Sequence, residues 1–191
     1  AIRKCKNTPP SEISVTRHAK GTIEVRDLAL KSPTGKPLQI PADWEFKPGE
    51  HVWISGPSGL GKSTFLKTLA DIWPYGHGEI YIPEGKSCAF IPQRSTINGT
   101  RLAEGAIYPR DAGSLDPETI SEYLAAVGLP DQAQALQEGD NPDITGFSGG
   151  ELQRLALVRL LIEKPDWAFL DEASSAIDSE SETEIFTRLR A

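Results

Sequence analysis

The sequence predicts an α/β protein with a mostly parallel core sheet, an antiparallel β portion and an inserted α-helical subdomain. Three observations carry this. Short apolar runs at His51–Ser55 and Trp167–Leu170 have the length and density of strands buried on both faces. Apolar residues at a helical period follow the first run and precede the second, over Lys62–Ile72 and Ser148–Lys164. Between them, from about residue 94 to 158, helix and loop patterns replace strand patterns.

Taken in order, residues 1–20 are polar and irregular, with Lys4, Lys6, Pro9 and Pro10, and are expected to be a linker. Residues 21–191 form the folded domain. Thr22–Leu30 alternates with a period of two, as a half-buried strand does, and Pro33-Thr34-Gly35 turns the chain towards a second strand near Leu38–Phe46. Pro48-Gly49-Glu50 leads into the run at His51–Ser55. The helix over Lys62–Ile72 is expected to end before Pro74. Glu79–Ile82 and Ser87–Ile91 are short strand candidates, with Cys88 a small buried side chain. Pro117–Val127 is the clearest helix of the middle region, closed by Gly128, and Ser148 caps the long helix that follows.

With 191 residues, 38% hydrophobic and 25% charged, the chain has the composition of one globular domain. Its net charge of −7 argues against nucleic acid as a partner, because neutralising phosphates requires clustered Lys and Arg. Cys5 and Cys88 are too far apart in sequence for a Cys-x-x-Cys site and suggest a reducing compartment. Asn98-Gly99-Thr100 reads as a turn. The longest apolar stretch, Leu155–Ile162, is interrupted by Arg159 and is much shorter than a bilayer span. The chain has no methionine and stops inside a helical pattern at Glu184–Ala191, so it is expected to be an excerpt of a longer protein.

The chemistry starts at Gly56-Pro57-Ser58-Gly59-Leu60-Gly61-Lys62-Ser63, which fits the P-loop pattern and makes the expected fold that of a P-loop NTPase. Its glycines let backbone N–H groups wrap phosphates at a helix N-terminus. Lys62 reaches the β- and γ-phosphates, Ser63 offers a hydroxyl to Mg²⁺, and Thr64 adds a second hydroxyl on the same turn. Asp171 and Glu172 end the second apolar run, at the carboxyl edge where open parallel sheets place ligands. Asp171 is the candidate Mg²⁺ carboxylate, and Glu172 the candidate general base for an attacking water.

Phe147-Ser148-Gly149-Gly150-Glu151-Leu152-Gln153-Arg154, 23 residues before Asp171, resembles the signature motif of ABC ATPases. A serine cap and two glycines at a helix start make a second anion site. The resemblance implies that Ser148, Gly149, Gly150 and Glu151 face the γ-phosphate held by a second copy of the domain, with two ATP molecules between the copies. Glu151 stands where many members have glutamine. Gln93, after Phe90-Ile91-Pro92, is similar to the family's Q-loop glutamine, which touches Mg²⁺ and the catalytic water, and Ser174–Asp178 is similar to its D-loop, with Asp178 at the dimer interface. The implied cofactors are ATP and Mg²⁺.

Two positions depart from the family. Ser32 stands where many members stack adenine on an aromatic residue, so the contact to the base is open. The switch histidine that follows the acid pair has no match among His18, His51 and His77, and is expected beyond residue 191. The fragment alone is therefore expected to bind ATP better than it hydrolyses it.

Ile72–Ile80, Phe90–Arg94, Gly99-Thr100 and Ile107-Tyr108-Pro109 are similar to the subfamily D half-transporters and their bacterial relatives. That resemblance implies an upstream membrane domain on the same polypeptide, tethered by residues 1–20. It also implies transport of acyl-CoA esters, cobalamin or peptides, and a place on the cytoplasmic face of a membrane, the bacterial inner membrane or an organelle. The other reading is a soluble ABC ATPase of the DNA-repair or translation type, for which a coiled-coil insertion, a tandem domain or a basic face is expected.

Overall fold

The computed structural model describes residues 12–97, 99–111, 113–173 and 179–190. The chain divides into two compact units, Ala1–Phe90 and Ile91–Ala191.

The first unit is built on a four-stranded sheet of order β1-β4-β2-β3, from β1 (Glu12–His18), β2 (Ile23–Leu30), β3 (Trp44–Phe46) and β4 (Gly76–Pro83). β1 runs parallel to β4, while β4 with β2 and β2 with β3 are antiparallel. The sheet is therefore mixed: its two antiparallel pairings match the expected antiparallel portion, and its single parallel pairing is less than the mostly parallel core that was expected.

β1 overturns the expected linker over residues 12–18. Ile13 is buried, and its seven residues pair in register with β4, from Glu12 opposite His77 to His18 opposite Pro83. A strand at a sheet edge needs only one inward apolar face, so its polar composition hides it. Conversely, His51–Ser55 does not form a strand. Val52 is 48% and Trp53 81% exposed: an apolar run becomes a strand only by pairing, and no described strand pairs with this one.

β2 meets the alternation expected of it, with one irregularity. Its register against β4 shifts between Arg26 and Ala29, where Asp27 takes a φ of 49°. The extra residue restores parity, so Ile23 and Val25 before it and Leu28 and Leu30 after it are all buried. On β4, Gly78 is required: a Cβ there would stand 2.7 Å from Leu28 Cα, at a φ of 130°.

The first helix, α1 (Lys62–Leu69), is shorter than the periodicity suggests. Asp71 adopts a left-handed φ of 56°, its N–H donates to Thr68 O and the Ile72 N–H to Lys67 O, which is a Schellman closure. Ile72 consequently lies outside the helix and exposed. Phe65 and Leu69 are buried, and Phe65 packs against Trp44 at 5.1 Å and Phe46 at 6.4 Å between ring centroids. Cys88, expected to be buried, is exposed on β5 (Cys88–Ile91), where it stands at the start of a short strand in a two-stranded sheet with β6 (Trp167–Leu170).

The second unit is mainly helical: α2 (Leu102–Ile107), α3 (Pro117–Ala126), α4 (Pro130–Gln137), α5 (Gly149–Glu163) and α6 (Ser179–Arg190). α5 is its axis. Leu155, Ala156, Leu157, Val158, Leu160 and Leu161 are all buried, so the helix is enclosed on most sides by α2, α3 and α6. Asp116 caps α3 by accepting from the Thr119 N–H at 2.8 Å, Pro117 occupies the first helical position, and Gly128 closes the helix with the bonds Gly128 N–H to Ala125 O and Leu129 N–H to Leu124 O. β6 is half-buried rather than buried throughout, with Phe169 inward and Ala168 outward. No helix among the described residues is long and apolar enough to cross a membrane.

Candidate functional site

Within the first unit the segment Gly56–Thr64 forms a loop that becomes α1 at Lys62. Gly61 occupies the N-cap position in the left-handed region, with no side-chain cap and no acidic residue in the first turn. Gly61 itself offers no side-chain acceptor to the start of α1, as suits an anion site. A Cβ at Gly61 would come within 3.2 Å of Leu38, so the loop rests directly on the segment after the Pro33–Gly35 turn. Lys62 folds over the loop, its Nζ donating to Gly56 O at 2.6 Å and Pro57 O at 3.0 Å. The ammonium is therefore already placed at the loop, held by neutral carbonyls that a phosphate can replace with a charge-assisted bond. Ser63 and Thr64 follow on the first turn, and the Thr64 carbonyl accepts from Thr68 Oγ1 at 2.7 Å.

In the second unit the acid pair emerges from β6. The Asp171 N–H donates to Ile91 O at 2.9 Å, continuing the β5–β6 pairing, and Asp171 is 5% exposed. The chain then turns sharply, because Glu172 has a φ of 51°. That turn brings the Glu172 carboxylate out to Gln93, whose Nε2 donates to Oε2 at 2.5 Å. On its other flank the Glu172 carbonyl accepts from Gln153 Nε2 at 2.7 Å.

The start of α5 carries a complete capping box. Ser148 Oγ accepts from the Glu151 N–H at 3.3 Å, while the Glu151 carboxylate accepts from the Ser148 N–H at 2.8 Å and hydroxyl at 2.6 Å. Gln132 Nε2 donates to the other carboxylate oxygen at 3.3 Å. The Ser148 hydroxyl, then its backbone N–H and the charge of Arg154, pull the Glu151 carboxyl below the ordinary carboxylate range. The Thr119 N–H and then its hydroxyl do the same to Asp116 at the start of α3.

Both groups bind protons less readily folded than unfolded, so their contribution to stability is present above the ordinary carboxylate pKa of about 4 and is lost as the pH falls through the lower folded values. Thermal unfolding is therefore expected to be flat with respect to these two caps between about pH 7 and pH 5 and to weaken below about pH 4. Glu151→Gln together with Asp116→Asn should flatten that acid limb; an unchanged slope in melting temperature from pH 5 to pH 3 would count against the assignment.

A family profile described as ABC transporter matches residues 41–175, more than half of the chain and the whole span from the P-loop to the acid pair. The chain belongs to the ABC transporter family. It is 35% identical over 178 residues to an uncharacterised ABC transporter ATP-binding protein of Synechocystis sp., covering 92% of this chain and 27% of that protein. It is also 31% identical over 181 residues to ATP-binding cassette sub-family D member 3 of Homo sapiens, covering 90% and 27% respectively. The chain thus spans about a quarter of the length of these relatives. The structure of a bacterial Atm1-family ABC exporter with ATP bound shares the fold, with a TM-score of 0.73 at 22% identity over 97% of this chain and 34% of that one. As an ABC ATPase domain the chain binds ATP.

Among the residues picked out by sequence, Gly56–Thr64 lie in the first unit, and Gln93, Ser148–Glu151, Asp171 and Glu172 in the second. The structure joins Gln93 to Glu172 and Ser148 to Glu151. Ser174–Asp178, the D-loop candidate, and Asn98 of the expected turn lie outside the described residues. Ser32, at the position often held by an aromatic, closes the tight turn instead: its N–H donates to Lys36 O at 2.8 Å and its hydroxyl accepts from the Lys36 N–H at 3.1 Å. One residue next to the site was missed. Gln153 is 5% exposed in the midst of the apolar face of α5, and a glutamine at a core position of a helix is itself the signal that it has a fixed partner.

Proposed function

We propose that this ABC domain binds Mg²⁺-ATP at Gly56–Thr64, hydrolyses it with Glu172 as general base, and drives transport as the ATPase half of a half-transporter. The observation that carries the catalytic part is the hydrogen bond from Gln93 to Glu172, which joins two residues 79 positions apart in a chain that also has the P-loop. The P-loop fits a triphosphate because the start of α1 has neither a capping side chain at Gly61 nor an acidic residue in its first turn, and Lys62 donates to the neutral carbonyls of Gly56 and Pro57. Ser63, Gln93 and the buried Asp171 are the residues that would hold the cation. Bound there, Mg²⁺ neutralises charge on the phosphates.

Glu172, exposed and oriented by Gln93, accepts the proton of the attacking water, while Lys62 offsets charge on the phosphate oxygens. The Ser148 end of α5 serves the nucleotide of a second copy, with Glu151 holding the serine in place. The helices between about residues 94 and 158 form the subdomain that faces a membrane domain of the same polypeptide, placing the ATPase on the cytoplasmic face of its membrane. The similarity to sub-family D members supports this placement.

In the full-length protein Glu172→Gln is expected to lower ATP turnover by about 100-fold or more, as loss of a general base does, while ATP binding persists and the dimer with trapped nucleotide accumulates. Turnover at the wild-type rate would remove Glu172 from the base role.

A further inference from the structure

We propose that Gln153 is a positioning residue that ties the start of α5 to the catalytic base, so that what engages Ser148 sets the orientation of Glu172. The proposal rests on the assignment of Glu172 as base and adds a residue to it. Its observation is the bond from Gln153 Nε2 to the Glu172 carbonyl at 2.7 Å, made by a side chain that is 5% exposed and has crossed from one element to another, 19 residues apart. Buried amides are not left to rotate freely, since each lost bond inside a core is costly.

The backbone of residue 172 needs such a hold. A left-handed φ of 51° is unfavourable for glutamate and persists only where the surroundings enforce it. Here the hold is on both sides. Upstream the strand is anchored one peptide before Glu172's own, by the Asp171 N–H on Ile91 O, and the peptide that follows Glu172 is held by Gln153 on Glu172 O. Between these two points the carboxylate has few ways to point, and it points at Gln93. If the Gln153 bond is lost, the peptide after Glu172 is free to relax towards a negative φ, which swings the carboxylate away from Gln93.

The other end of the lever is Ser148. Gln153 lies five residues on, about 7.5 Å along the helix axis at the usual rise. α5 is rigid over this distance, since Leu155, Ala156, Leu157 and Val158 beyond it are buried in the unit core. A displacement of Ser148 therefore reaches Glu172 through about one and a half helical turns and one hydrogen bond. The signature helix, whose first residues serve the nucleotide of the second copy, is at the same time the support of this copy's own base.

The test uses the full-length protein. Gln153→Met keeps the length and volume of the side chain and removes the donor. The expected result is a fall in kcat of about 10- to 100-fold, the scale of a misplaced catalytic group, with the KM for ATP and the equilibrium ATP affinity within about threefold of wild type and an unchanged or raised melting temperature. Gln153→Glu, which cannot donate at neutral pH, should lose kcat at least as strongly. A purely structural glutamine would instead lower melting temperature and ATP affinity together with kcat, and that pattern overturns the proposal, as does an unchanged kcat in Gln153→Met. Glu172→Gln measured alongside separates the two levels: if it alone loses turnover, the base stands and the positioning role falls, and if it too is active, the base assignment itself is wrong. A double-mutant cycle of Ser148→Ala with Gln153→Met reads the lever directly. Less-than-additive losses in kcat are expected, and strict additivity would overturn the transmission from Ser148.

Discussion

Replacing Lys62 by alanine is expected to weaken Mg²⁺-ATP binding by about 10- to 100-fold, the range of one lost hydrogen-bonding partner of a charged group. The reasoning is local. Lys62 Nζ is already gathered over the loop at Gly56 O and Pro57 O, so wild type spends little ordering on bringing the ammonium to the phosphates. Alanine removes both the charge and this pre-placement while leaving the amides of α1, which retain some affinity for any phosphate chain. Calorimetric titration with ATP at fixed Mg²⁺ checks the prediction, and inorganic triphosphate should lose affinity in parallel because the lost contact is to phosphate. Affinity within twofold of wild type would show that the lysine faces elsewhere when nucleotide is bound.

Phe65→Ala should produce the largest loss of stability, about 3–5 kcal/mol, as for other buried phenylalanines. Phe65 is fully buried, sits one turn past the P-loop and packs at a tilt against Trp44 and Phe46, so its removal opens a cavity under the helix that carries Lys62 and Ser63. Against a total stability of about 5–15 kcal/mol, this change brings a domain close to unfolding at physiological temperature. Denaturant unfolding followed by tryptophan fluorescence measures it, since Trp44 is in contact with the deleted ring. A midpoint shift equivalent to less than about 1 kcal/mol would mean that neighbouring side chains refill the space.

The candidate phosphate loop was legible as a pattern because its chemistry is a matter of backbone and spacing. A loop that must wrap phosphates needs glycine at fixed intervals and a lysine at a fixed offset, and Gly56–Ser63 displays both. The capped start of α5 and the Gly128 closure were equally readable, because Ser148 and Gly128 each satisfy helix-end groups locally. What stayed hidden depends on partners distant in sequence. Glu12–His18 looks like polar linker until β4 is beside it, and Val52–Ile54 looks like a buried strand although no ladder receives it. The closure of α1 falls at Asp71, where a glycine would have announced it. Gln153 is invisible as a site residue for the same reason, since its meaning comes from the carbonyl of Glu172.

The parallel pairing of β1 with β4 also has a mechanical side. β1 is the strand through which the polypeptide before residue 12 joins the first unit, and its hydrogen bonds to β4 run from Glu12 opposite His77 to His18 opposite Pro83. A pull along the strand axis at Glu12 loads all seven register positions together, in shear, instead of unzipping them one by one. β4 is in turn locked to β2 on its far edge, so the load spreads across the sheet. A load on β1 along its axis is thereby passed through β4 and β2 as displacement, with little lost to stretching.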